Sequence, residues 1–233
     1  MIRKVVIASG NAHKIDEIGA MLRAQAPELE VVGMKTFGQP PEVPETAETF
    51  SGNAALKALG IARWLREQGA AADVLVLSDD SGICIDALDG RPGVYSARFA
   101  GEGASDPENN AKMVAELESR GLDSSPAHYA CVLSLARVDG RSVPLPMPES
   151  GEGDIYVEGD TLCIEGQCFG EVRVQARGAG GFGYDPHFWV DERSRTFAEL
   201  TQEAKAERSH RGAAMRLLVG QLSRILAADP DVG

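Results

Sequence analysis

The period of hydrophobic residues changes several times along this 233-residue chain. Val5-Val6-Ile7-Ala8 is a short β-branched run that stops at Ser9-Gly10-Asn11, after which Ile15, Ile18 and Leu22 recur at helical spacing. This predicts a strand, a tight turn and a helix. A proline-rich loop, Pro40-Pro41-Glu42-Val43-Pro44, precedes Phe50 to Trp64, where Leu56, Leu59 and Ile61 among alanines suit a largely buried helix. Asp73 to Leu77 reads as a buried strand leading into an acidic turn, Ser78-Asp79-Asp80-Ser81-Gly82.

Further on, Asp106-Pro107-Glu108 offers an N-cap, a proline at the first helical position and an acid in the first turn, so a helix is predicted from there to about Arg120. Tyr129 to Val138 is predicted as a long strand ending at the hairpin signal Asp139-Gly140. Residues 141–160, broken by Pro144, Pro146 and Pro148 and then polar, read as an exposed excursion. A glycine-rich loop, Gly178 to Pro186, precedes a short aromatic strand, Phe188-Trp189-Val190. The last amphipathic helix carries Met215, Leu218, Leu222 and Ile225. No internal repeat is present. Interspersed strands and helices with a hairpin give an α/β class with mixed strand pairing.

Composition narrows the range of functions. At 43% hydrophobic residues the chain can bury a sizeable core without staples. No stretch reaches the roughly 18 to 20 apolar residues that span a bilayer, and the N-terminal run is too short for a signal peptide, so a cytoplasmic protein without a membrane partner is expected. The four cysteines, Cys84, Cys131, Cys163 and Cys168, lack zinc-ligand spacing and read as small core hydrophobes. A net charge of −12 argues against nucleic-acid binding, which needs a broad basic face. A small polyanion remains possible where a cation or a few placed basic groups receive it.

Three stretches offer such chemistry. Ser9-Gly10-Asn11-Ala12-His13-Lys14 sits where a strand meets a helix, and helix-start amides with a lysine attract phosphate. The same residues also make an ordinary turn with a solvated lysine. Asp79 and Asp80 follow an apolar strand, where paired acids must reach solvent or meet a cation; carboxylates with open positions suit magnesium. An ordinary surface turn is the alternative. Successive side chains diverge in an extended strand, so the two acids cannot play identical roles. Phe182-Gly183-Tyr184-Asp185, with Lys205 and His210-Arg211 downstream, could stack on a base and donate to its carbonyl oxygens, or could pack in the core and face solvent.

The order of these segments carries more than each alone. It runs Ser9-Gly10-Asn11-x-x-Lys14, Phe50-x-x-Asn53-Ala54-x-x-Lys57-Ala58, Ser78-Asp79-Asp80-Ser81-Gly82 and Pro92-Gly93-Val94-Tyr95-Ser96-Ala97-Arg98. Gly180 to Pro186 and then Ala198-Glu199-Leu200 through Lys205 to Ser209-His210-Arg211-Gly212 complete it. The chain thereby resembles, over nearly its whole length, the inosine triphosphate pyrophosphatase family, also called Ham1-like.

That resemblance implies a single domain over residues 1–233. It would be a long mixed β-sheet with two α/β lobes flanking a central nucleotide-binding cleft, usually in a homodimer. It also implies magnesium-dependent hydrolysis of ITP, dITP and XTP to the monophosphate and pyrophosphate. On this pattern Ser9 to Lys14 would hold the triphosphate, and Asp80 would be base and metal ligand, with Lys14 and Asp79 as its catalytic company. Ser81 would touch substrate, and Phe182, Gly183, Tyr184, Asp185, Lys205, His210 and Arg211 would surround the base. Glu45, five residues before Phe50, falls where the family places another metal-linked acid. Many relatives carry an acid just before Asn53-Ala54, where this chain has Gly52, and the 141–160 excursion is longer than the family leads one to expect. Two rival functions are a nucleotide-binding regulatory module without turnover and a nucleotide phosphatase releasing orthophosphate.

Overall fold

A computed structural model describes residues 2–143, 154–190 and 195–227. Its elements, in chain order, are β1 (Lys4–Ala8), α1 (Ala12–Gln25), β2 (Glu30–Gly33), α2 (Phe50–Glu67), β3 (Val74–Ile85) and α3 (Asp106–Glu118). They continue with β4 (Ser124–Arg137), β5 (Ile155–Glu158), β6 (Thr161–Arg173), β7 (Phe188–Trp189), α4 (Gln202–Arg208) and α5 (His210–Ala227). Seven strands form one sheet in the order β2-β1-β3-β4-β6-β5, with β7 also paired to β6. β1 is parallel to both β2 and β3, whereas β6 is antiparallel to β5 and β7, so the sheet is mixed as expected.

The largest departure from the sequence reading lies at Ser78–Gly82. No turn forms there: β3 runs unbroken from Val74 through both aspartates to Ile85. Ile83 and Ile85 are fully buried, and their β-branched side chains extend the strand beyond residues that resemble a turn in isolation. A second departure concerns the excursion. Ile155–Glu158 is a strand, joined to β6 in a tight hairpin across Gly159 and Asp160. The expected hairpin at Asp139-Gly140 is instead a turn after which β4 does not pair with the next strand, β5; its neighbours in the sheet are β3 and β6. Residues 144–153 of the excursion lie outside the described residues. At α3 the cap is Ser105, one residue before Asp106, with Ser105 and Glu108 forming a reciprocal capping box.

The chain divides into two compact units. The first comprises Met1–Asp80, Val132–Gly166 and Ala214–Gly233. Its core sets Ala58, Ile61, Ala62 and Leu65 of α2 against Val6, Ala8, Val74 and Val76 of the parallel strands. Small alanines on that helix face allow close approach to the β-branched sheet surface.

The second unit comprises Ser81–Cys131 and Gln167–Ala213. Its core is aromatic: Phe188 meets Tyr129 edge-on with ring centroids 4.7 Å apart and lies 5.0 Å from Phe197. Such pairs add about 0.5–1.5 kcal/mol beyond area burial. Cys131 and Cys163 are buried as expected, whereas Cys84 and Cys168 are only partly so. No helix among the described residues is long and apolar enough to cross a membrane.

Candidate functional site

In the first unit the site begins at the end of β1. Ser9 Oγ accepts from the Asn11 amide at 3.1 Å, and Asn11 Oδ1 caps α1 by accepting from the amides of His13 at 2.9 Å and Lys14 at 3.4 Å. Gly10, Asn11, Ala12 and His13 are exposed and Ser9 is partly so, which leaves this turn open to a solute. The His13 and Lys14 amides are already occupied by the Asn11 cap, however. The Lys14 ammonium pairs with the carboxylate of Asp79, whose side chain is fully buried.

Asp80 has a different partner from Asp79, as the alternation along a strand requires. Its Oδ1 accepts from Lys57 Nζ at 3.0 Å, and the same ammonium donates to Glu45 Oε1 at 3.1 Å. Lys57 thus links the two acids expected to share a metal. Asp80 Oδ2 is buried and has no hydrogen-bond partner among the described residues. Burial raises the Asp80 carboxyl above the usual carboxylate range, against the pull of Lys57 and Lys14. Burial works against the Lys57 ammonium too, but Asp80, Glu45 and Asp79 together carry it above the usual lysine value.

Several residues hold this geometry. Ser78 Oγ donates to the Ala54 carbonyl at 2.6 Å, fastening β3 to α2 beside Lys57. Asn53, fully buried, accepts from the Ala47 amide at 2.9 Å and so fixes the loop that carries Glu45. Gly52 is explained by its surroundings: a Cβ there would fall 2.6 Å from the Ala47 methyl carbon. An acid at that position would have to displace this loop.

The second unit gathers another polar group. Asp185 Oδ2, buried, accepts from Lys205 Nζ at 2.7 Å and from the Phe182 amide at 2.8 Å. The Lys205 ammonium stands 4.4 Å from the Phe182 ring centroid, and the Arg211 guanidinium carbon stands 5.9 Å from it. Arg211 Nη2 donates to Ser81 Oγ at 3.1 Å. Phe182, Asp185, Lys205, Arg211 and Ser81 therefore come together. Arg211 is almost wholly buried, contrary to the solvent-facing alternative.

Tyr184 and His210 are placed differently. Tyr184 belongs to the aromatic core and donates its hydroxyl to the Ser96 carbonyl at 2.9 Å. His210 stacks on Tyr129 with centroids 4.6 Å apart and planes within 8°. Both are buried. Gly183 is held from α3: its amide donates to Asp106 Oδ2 at 2.6 Å, and its carbonyl accepts from Asn110 Nδ2 at 3.0 Å.

Three of these residues, Lys57, Asp106 and Asn110, are not candidates from the sequence alone. Lys57 stood inside the second motif, and its i,i+4 spacing from Asn53 on α2 was the available signal. Asp106 and Asn110 had none, because the helix they share is far from Gly183 in sequence.

A mixed-sheet α/β chain with a lysine-bridged acidic group and a separate cation-and-aromatic group is the class these observations define. The chain belongs to the Ham1 family, whose sequence profile matches residues 5–221. It is 39% identical over 223 residues to a dITP/XTP pyrophosphatase of Exiguobacterium sibiricum, covering 96% of this chain and 98% of the relative. A dITP/XTP pyrophosphatase of Geobacillus kaustophilus is 37% identical, with 97% of each chain covered. Among solved structures, a HAM1 protein from Coxiella burnetii superposes with a TM-score of 0.76 at 32% identity, covering 96% of this chain and 100% of that one. The Staphylococcus aureus Ham1 protein does so with a TM-score of 0.73 at 33% identity, covering 95% and 99%.

Proposed function

We propose that this chain hydrolyses deaminated purine nucleoside triphosphates, ITP, dITP and XTP, to the monophosphate and pyrophosphate, and so clears them from the nucleotide pool. Relatives that cover nearly all of the chain are dITP/XTP pyrophosphatases. The observation that carries the chemistry is the buried Asp80 carboxylate, with one oxygen on Lys57 and the other without a hydrogen bond among the described residues.

The residues fit a magnesium ion that keeps most of its water. Among the described residues no cluster of three or more His, Cys, Asp or Glu side chains gathers as a full protein cage. Magnesium needs only one or two carboxylates besides waters and substrate phosphates, and Asp80 Oδ2 with Glu45 supplies them. When bound, the ion offsets charge on the phosphates and polarises the attacked phosphorus.

The reaction forms a bond from water oxygen to the α-phosphorus and breaks the bond from that phosphorus to the oxygen bridging to the β-phosphate. The bridging oxygen leaves with pyrophosphate. Asp80 accepts the proton that the water loses, as a general base. Lys14, close to the exposed Ser9 to His13 turn, balances phosphate charge while Asp79 holds its ammonium in place. At the base, Lys205 and Arg211 donate to carbonyl oxygen beside the Phe182 ring. They cannot accept from an amino group, which favours a keto group at purine C6 over ATP.

The family resemblance adds a homodimer working in the cytoplasm, and light scattering of the purified chain checks the dimer. The function itself is tested by incubating the chain with ITP under magnesium. Inosine monophosphate with pyrophosphate is the expected pair of products, and inosine diphosphate with orthophosphate would refute the reaction.

A further inference from the structure

We propose that a pocket formed by α2 and the turn after β4 is a second anion site, which takes a small oxyanion of the phosphate class. The pocket has a volume of about 190 Å³, and its lining includes Arg63 and Arg66 of α2, Arg137 at the end of β4, Gly140, Arg141 and Asp160. Four guanidiniums line one pocket of a chain whose net charge is −12. None of them belongs to the Lys57 and Asp80 group or to the Lys205 and Asp185 group. The site stands independently of the proposed reaction.

Among the described residues the acidic partner Asp139 falls to Arg137 and Arg141. Arg137 Nη2 and Nε donate to the Asp139 carboxylate at 2.5 to 3.2 Å, and Arg141 lies 3.9 Å from the same carboxylate. Among the described residues no carboxylate is paired with Arg63 or Arg66. Like charges drawn together in this way repel, and a bound anion relieves that repulsion.

The backbone makes room for the arrangement. Gly140 has φ of +79°, and a Cβ on it would fall 2.7 Å from Arg66 Nη1. A residue without a side chain therefore lets the Arg66 fork lie against the turn that Arg137 and Asp139 brace. Arg63 and Arg66, three residues apart on α2, present their forks on one face. Planar forks match the oxygen pairs of phosphate.

Size selects the ligand. Pockets for drug-sized molecules run to about 300–1,000 Å³, so this one takes phosphate or pyrophosphate and not a whole nucleotide. Pyrophosphate, with more charge and two phosphoryl groups, is the tighter ligand.

The test is thermal unfolding of the full chain with inorganic phosphate or pyrophosphate at fixed ionic strength and without divalent metal, alongside the Nε–Hε NMR signals of its arginines. The melting temperature is expected to rise with phosphate and to rise further with pyrophosphate, and the Arg63 and Arg66 signals are expected to shift. In Arg63→Gln/Arg66→Gln, where both positions are exposed, anion affinity is expected to fall at least about tenfold. In Lys14→Gln the anion-dependent shifts of the Arg63 and Arg66 signals are expected to persist. An anion effect lost in Lys14→Gln and kept in the double variant would place the ligand at the Lys14 group and overturn the proposal. Unmoved Arg63 and Arg66 signals at saturating pyrophosphate would do the same without relying on any variant.

Discussion

The Lys57 ammonium lies 3.0 Å from Asp80 Oδ1, and Asp80 Oδ2 is buried without a hydrogen bond among the described residues. One carboxylate therefore carries both an anchored oxygen and an available one. Asp80→Asn keeps the shape and removes the proton acceptor. Turnover of ITP is expected to fall at least about a hundredfold while nucleotide affinity stays within roughly tenfold, as loss of a general base does. Steady-state kinetics beside direct binding separates the two, and unchanged turnover would remove Asp80 from the mechanism.

Removing the other partner tests the ion group itself. Lys57→Met leaves Glu45 and Asp80 facing each other without their shared cation, at about 1–3 kcal/mol of stability, since Glu45 is partly exposed. Urea unfolding should show this loss, and added magnesium should recover more stability in the variant than in the wild type. A variant that magnesium does not stabilise would count against these acids as metal ligands.

Asp185 and Lys205 are both buried, so the base-side group should be sensitive to losing either. Asp185→Ala strands the Lys205 ammonium and the Phe182 amide and is expected to cost about 3–5 kcal/mol. Gly181→Ala should disturb the same place by another route, because Gly181 has φ of +74° and its Cβ would overlap Asp185 Oδ2. Calorimetric melting of the two variants checks both. A Gly181→Ala protein as stable as the wild type would mean that the Phe182 loop is not held as described.

A pH effect follows from Asp139. The Arg137 hydrogen bond holds its carboxyl below the usual value, so the unfolded state binds the proton more readily. Stability from this pair is then present above the ordinary aspartate pKa of about 3.9 and lost as pH falls through the lower folded value. Urea midpoints of wild type and Asp139→Asn should converge toward pH 2 and separate above about pH 5. A constant gap across that range would assign the effect to something other than titration.

Much of this was legible in the sequence wherever local pattern and long-range role coincide. β1, α2, α3 and α5 show their own periodicity, and the motif order singled out Phe182, Asp185, Lys205 and Arg211, which the fold brings together. The strand through Ser78–Gly82 was not legible, because Ser-Asp-Asp-Ser-Gly has turn chemistry and only burial on either side keeps it extended. Nor were β5 inside a polar stretch or the clamp of α3 on Gly183, since both depend on partners remote in sequence. Lys57 was visible as a motif residue but not as the link between Glu45 and Asp80, which only the packing of α2 on β3 creates.

The most direct measurement of the whole account is a product analysis with ITP, dITP, XTP and ATP in parallel, each with magnesium. The expected result is monophosphate plus pyrophosphate from the first three, with ATP turned over far less efficiently. Diphosphate and orthophosphate, equal efficiency on ATP, or binding without any product would each contradict it.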